Sequence, residues 1–152
     1  MKEAHVYRGK IDSLQPGDKE SVTVSLAEAD IDRFADAIGS HHPIHMSSAW
    51  VEGQTHFGGG RLVHGVMTAA LVSRVIVRFL DRHDLKGAIC YTQSKFVAPV
   101  RAGDTITIDL KYLGLVPGKP RLRCGIEVRN QRGEVVMIGE IHEHIFVDEV
   151  VV

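Results

Sequence analysis

Five of the nine histidines in this chain, His41, His42, His45, His56 and His64, fall between residues 41 and 64. Imidazole is the side chain whose charge changes near neutral pH, so such a cluster is where proton or metal chemistry is to be sought first. Two short runs hold most of it: Gly39-Ser40-His41-His42-Pro43-Ile44-His45 and Leu62-Val63-His64-Gly65-Val66-Met67. The first run contains no carboxylate, although acid–base sites commonly pair a histidine with one. A metal would need three or four regularly spaced ligands. The spacing His41-His42-x-x-His45 permits contact with a metal but offers no such set, so no metal and no cofactor are expected.

The rest of the chain must position these residues. Its 152 residues suit one domain with a sizeable core, and residues 1–152 read as a single unit without repeats or low-complexity tracts. Hydrophobic residues make up 44% and charged residues 24%, with a net charge of -1. That balance gives no electrostatic case for nucleic acid or for an anionic membrane surface. An anionic ligand would have to use local basic residues such as Arg61, Arg74, Arg78, Lys95 and Arg101. Met1 to Arg8 show no apolar leader pattern. The most apolar stretch, Val66 to Leu80, is interrupted by Arg74 and Arg78 and is too short to span a bilayer. Cys90 and Cys124 lie far apart in strand-like contexts, which favours reduced thiols and a cytoplasmic location.

Ser21 to Ser25 alternate as a strand. Ile31, Phe34, Ala35 and Ile38 then recur at helical spacing, with Ser25 and Glu28 placed as a capping box and Gly39 as the stop. Pro43 is expected to keep the following segment out of regular helix. A short helical piece is expected over Ser47 to Gly53, and Phe57-Gly58-Gly59-Gly60 reads as a turn. From Gly65 to about Arg82 apolar residues cover most of a helix circumference, the mark of a largely buried helix. From Gly87 onward the period becomes two, over Ile89–Val97, Thr105–Leu113, Leu122–Val128 and Val135–Val147, with turn signals between the runs. Long strands joined by tight connections imply an antiparallel sheet, and one helix followed by such strands implies an α+β fold with the sheet wrapped around the helix.

The order of motifs resembles the MaoC-like hydratases, whose best-known members are (R)-specific enoyl-CoA hydratases. The resemblance rests on a Gly-x-x-x-Pro-[Ile/Leu]-His loop (Gly39, Pro43, Ile44, His45), on Val63-His64-Gly65-Val66-Met67 opening a long helix, and on Phe96-Val97-Ala98-Pro99-Val100-Arg101-Ala102-Gly103-Asp104. It covers roughly residues 20 to 147. It implies a hotdog fold, a homodimer or higher homo-oligomer, and an acyl-CoA or acyl-carrier thioester as substrate bound near the subunit boundary.

Transferred residue by residue, the family's catalytic histidine falls on His45, its aspartate position on Ser40 and its asparagine position on His42. The helix-start glycine whose N–H binds the thioester oxygen falls on Gly65, and a pocket serine falls on Ser73. The stretch from His45 to Gly65 is about two residues longer than usual. In this reading His45 is the base, Ser40 and His42 position the water, and the Gly65 N–H receives the charge building on the thioester oxygen. Ser73, His64 and Arg61 are candidate substrate contacts. A serine hydroxyl orients water but is no base by itself. Hydration or dehydration therefore stands beside two alternatives, thioester hydrolysis on the same fold and acyl binding with weak or lost catalysis.

Overall fold

The computed structural model describes residues 10–146. The N-terminal segment read for an apolar leader and Val147, the expected end of the last strand, lie outside them. The elements run β1 (Lys19–Ser25), α1 (Glu28–Ile38), α2 (Pro43–Met46), α3 (Ser48–Gln54), α4 (Gly65–Ala70), α5 (Val72–Arg82), β2 (Gly87–Phe96), β3 (Thr105–Leu115), β4 (Arg121–Asn130) and β5 (Val135–Ile145). The five strands form one antiparallel sheet in the order β1-β3-β4-β5-β2. Alternation does what period-two sequence requires. In β4 every second residue is buried, Leu122, Cys124, Ile126 and Val128 among them, on one face of the sheet.

Against that face lies the long helix. Val72, Val75, Ile76, Phe79 and Leu80 of α5 are buried, and Phe79 is fully so, packed among Ile106, Ile108 and Leu122 of the core. Each such side chain contributes about 1.5–3 kcal/mol by leaving water. α4 and α5 meet at Leu71, which keeps helical angles (φ -65, ψ -15), so the expected single helix is present with a joint in it. It is less buried than its composition implies. Val66 and Val77 are 58% and 53% exposed, and with Ala70 and Ser73 they line one outward stripe.

Two local expectations are corrected. The N-cap of α1 is Ala27, not Ser25; the reciprocal carboxylate is Asp30, whose Oδ2 accepts the Ala27 N–H at 2.8 Å. Ser25 instead shares a hydroxyl hydrogen bond of 2.8 Å with Thr105 across the β1–β3 pair. Pro43 does not prevent helix but begins one, because at the first helical position its missing N–H is not needed. Gly39 ends α1 as expected, at φ 68.

The Pro-Val-Arg-Ala-Gly-Asp run is a structural lock. Gly103, at φ 91, donates its N–H to the Leu26 carbonyl, and the Leu26 N–H returns to Asp104 at 2.9 Å. Asp104 is buried; its carboxylate accepts the Arg101 N–H at 2.9 Å and the Gln131 amide at 2.8 Å. The same run pairs with the segment before α4, through Val63 N–H to Val100 and Ala102 N–H to Arg61. The start of the long helix is thereby tied to the sheet.

A second buried carboxyl has no such partners. Glu143 is 2% exposed on the core side of β5, its Oε2 unpaired, and burial pushes its pKa from 4.5 to about 7. A carboxyl raised in the fold holds its proton where the unfolded chain has lost it. The contribution of Glu143 to stability is therefore greatest below pH 4.5, falls as pH rises to about 7, and is constant above that. Glu143→Gln, which is neutral and isosteric, is expected to raise thermal stability at pH 8 by an amount on the order of 2 kcal/mol and to change little at pH 4.5. Thermal melts at the two pH values check this; an equal gain at both would contradict it.

Candidate active site

His45 lies in α2, a single turn built by its flanks. Pro43 presets the first angle, and His42 caps the turn, its Nδ1 accepting the Ile44 N–H at 3.2 Å. This is the work an asparagine side-chain oxygen performs at an N-cap. His42 has thus spent one ring nitrogen on structure; its exposed ring packs edge-on to Trp50 at 5.3 Å.

The His45 ring points back to the segment before α4. Its Nδ1 lies 2.9 Å from the Leu62 carbonyl oxygen. A carbonyl only accepts, so Nδ1 carries the hydrogen and Nε2 of the neutral ring holds a free lone pair. That nitrogen bonds to no described residue. Partial burial holds the His45 pKa below the usual 6.5, the Leu62 hydrogen bond opposes this, and the neighbouring His64 and His42 depress it further. A lowered pKa keeps the ring in its basic form at neutral pH.

His64 completes the centre. It is buried, and its ring stacks on His45 with centroids 3.7 Å apart and planes 21° from parallel. Its Nε2 donates to the Ser40 carbonyl at 2.9 Å, and Phe34 of α1 meets it edge-on at 5.3 Å. Ser40 is therefore held through its backbone at both ends, since its N–H donates to the Ala35 carbonyl at 3.0 Å. Its hydroxyl bonds to no described residue.

Gly65 follows at the first position of α4, and its N–H has no acceptor among the described residues. The ring of Phe96, at the end of β2, lies over it. A Cβ at this position would sit 3.2 Å from three of the ring carbons, so glycine is what lets the aromatic ring close on the helix start.

Arg61 is turned inward. It is buried; its Nε donates to the His45 carbonyl at 2.6 Å, and its guanidinium pairs with Asp32 and, at 3.8 Å, with Glu28 of α1. It clamps α1, α2 and the helix-start segment together. Ser73 is exposed, its hydroxyl returning to the Ala70 carbonyl at 2.7 Å. It shares the outward stripe of the long helix with Val66, Ala70 and Val77.

Of the five clustered histidines only His45 and His64 converge. His41 pairs with Asp36 at 2.7 Å, and His56 packs on Phe57. The acidic residues of α1 are committed elsewhere: Glu28 and Asp32 to Arg61, Asp30 to Arg33 and the Ala27 N–H, Asp36 to His41. The centre is thus an imidazole pair, a serine and a helix-start N–H, without a carboxylate of its own. Among the described residues no group of three His, Cys, Asp or Glu side chains could hold a metal ion, and no helix is long and apolar enough to cross a membrane. Two contributors escaped the sequence reading. Phe34 carries only a helical-periodicity signal, and Phe96 stands out only as a motif residue.

Residues 13–131 match the MaoC like domain family. The chain is 34% identical over 134 residues to an (R)-specific enoyl-CoA hydratase of Rhodospirillum rubrum, covering 85% of this chain and 86% of that protein. It is 33% identical to a 3-hydroxybutyryl-CoA dehydratase of Methylorubrum extorquens, over 85% of this chain and 79% of that one. The unliganded R-hydratase of Pseudomonas aeruginosa superposes with a TM-score of 0.75 at 29% identity, over 89% of this chain and 84% of the other. An (R)-hydratase of A. caviae superposes at 0.79 with 24% identity, over 88% and 98% of the two chains, which speaks to fold alone. The fold is the hotdog.

The ring geometry has a direct signature. Nitrogen-15 NMR of the His45 ring is expected to show the Nδ1–H form when neutral, with a titration midpoint below 6.5. An Nε2–H ring, or a midpoint above that value, would contradict the assigned hydrogen bond.

Proposed function

The chain belongs to the MaoC-like domain family, and from that premise we propose that it hydrates a 2-enoyl-CoA, or the equivalent carrier-protein thioester, to the 3-hydroxyacyl thioester, or catalyses the reverse dehydration. The observation that carries this reading is the open Nε2 of His45, left free because Nδ1 is fixed on the Leu62 carbonyl.

The chemistry needs a base, an electrophilic sink and a returned proton. His45 Nε2 takes a proton from water as its oxygen bonds to C3. The C2–C3 electron pair moves toward the thioester carbonyl, whose oxygen gains charge against the Gly65 N–H. A preorganised donor of this kind is worth about 3–4 kcal/mol in the transition state. The proton on Nε2 then passes to C2 and the carbonyl re-forms, so that one water has been added and the imidazole is neutral again. With no carboxylate in the centre, the same ring serves as base and acid. Ser40 orients the water through its unengaged hydroxyl. His42 supports the turn that carries His45.

The acyl site is completed in this reading by a second copy of the chain. β2 ends the sheet, and Ile89, Tyr91, Phe96 and Val97 in or beside it are 41–53% exposed. An unpaired apolar edge strand invites another strand. The outward stripe of Val66, Ala70, Ser73 and Val77 lies on the same long helix that Phe96 abuts, so dimerisation would enclose Ser73 at the subunit boundary. The two free thiols, Cys90 and Cys124, accord with a reducing cytoplasm.

With crotonyl-CoA, purified protein is expected to bleach the enoyl-thioester absorbance without releasing free CoA. His45→Ala should lose this activity by roughly 10²–10⁴-fold. Ser40→Asp should raise the rate by restoring a carboxylate beside the water. Free CoA as the product, or turnover unchanged in His45→Ala, would overturn the proposal. Separately, Val77→Glu is expected to convert the dimer to a monomer in sedimentation experiments; a wild-type monomer, or a dimer that tolerates the charge, would remove the second copy from the account.

A further inference from the structure

We infer that His64 is a positioning residue, whose one buried ring holds both the His45 imidazole and the Ser40 loop in register around the reacting water. The inference rests on the hydratase reading above for its functional meaning and on local geometry for its structure.

A ring held by a single hydrogen bond retains a rotation. The bond from His45 Nδ1 to the Leu62 carbonyl sets one axis, and the ring can still swing about it. A second ring stacked at 3.7 Å and 21° removes that freedom, because rotation would drive one face into the other. His64 is in turn fixed from two further sides, by its bond to the Ser40 carbonyl and by the edge contact with Phe34.

The side chain is also spent in an unusual place. His64 is the N-cap of α4, and its carbonyl accepts the Met67 and Thr68 N–H groups. N-cap side chains ordinarily bond the first N–H groups of their own helix. This one makes no such bond and turns instead to a loop 24 residues earlier. Ser40 is thereby bound to the residue beside Gly65. The ring also leaves its Nδ1 buried without a partner, a cost that a residue serving only as filler would avoid by being apolar. In a centre without a carboxylate to orient the imidazole, a stacked ring is the available substitute.

The titratable and charged groups around His45 are His64, His42 and Arg61, the last bonded to its backbone carbonyl. Two variants separate the roles. His64→Phe keeps a ring of similar bulk but loses the bond to Ser40. His64→Gln keeps an N–H donor but loses the stack. Both are expected to lower kcat with crotonyl-CoA by roughly ten- to a hundredfold while KM stays within about twofold, as misplacement of reacting groups does. By nitrogen-15 NMR, both variants should show the neutral His45 ring partly in the Nε2–H form, since the ring that holds Nδ1 on the Leu62 carbonyl is lost or no longer anchored to Ser40. If His64 only fills space, His64→Phe will match the wild type in kcat and in the His45 ring form, and the inference is wrong. A rise in KM with kcat preserved would make His64 a substrate contact and overturn it as well. Should one variant fail to fold, the other decides by the same two readouts. Should the wild type turn over no enoyl thioester, the hydratase reading falls, and the retained or lost Nδ1–H form of His45 still judges the positioning role.

Discussion

Leu62 is the point on which the site depends. Its N–H donates to the Ile44 carbonyl at 3.0 Å, and its own carbonyl accepts from His45 Nδ1 at 2.9 Å. One residue therefore ties the histidine turn to the segment that opens the long helix, and fixes which ring nitrogen can act as a base. The neighbours on either side extend the tie. Arg61 reaches from this segment to α1, and Val63 pairs with Val100 of the motif that locks the sheet. Histidine, helix start and sheet are consequently one connected unit. A displacement of any of them moves the imidazole relative to the Gly65 N–H.

The two substitutions that the family resemblance assigns to this loop have unequal consequences in the proposed reading. Histidine for asparagine at position 42 is conservative in the one respect that matters locally, because an imidazole Nδ1 caps the turn as an amide oxygen would. Serine for aspartate at position 40 changes charge and proton affinity together. The backbone of Ser40 is held in place regardless of side chain, by Ala35 on one side and His64 on the other. The scaffold of the loop is therefore held by its backbone, and in the proposed reading its chemistry rests on a single imidazole.

Much of the architecture was legible in the residues. Period-two alternation in Leu122 to Val128 located β4, and the dense apolar pattern after Gly65 located the long helix, because burial on one face leaves a periodic record. The extra exposure of Val66 and Val77 was not legible, since an apolar residue at the surface and one facing the core look alike in sequence. Local chemistry misled at two points. Ser25 is a better cap in isolation than Ala27, but Thr105 engages its hydroxyl across the sheet. Pro43 reads as a helix breaker, yet at the first position of a turn it is a helix starter. The pairing of His45 with His64 is a contact between residues 19 apart on separate elements, and nothing in spacing or composition encodes it. Arg61 likewise looked like an available cation, and only the fold reveals two carboxylates waiting for it.

The central claim is that one imidazole, held by a backbone carbonyl, does the acid–base work beside a helix-start N–H. A crystal structure with 3-hydroxybutyryl-CoA bound tests it most directly. The C3 hydroxyl is expected within hydrogen-bond reach of His45 Nε2 and the thioester oxygen on the Gly65 N–H, with Ser40 beside the hydroxyl. A ligand whose C3 hydroxyl meets a carboxylate instead, or whose thioester lies away from Gly65, would contradict it.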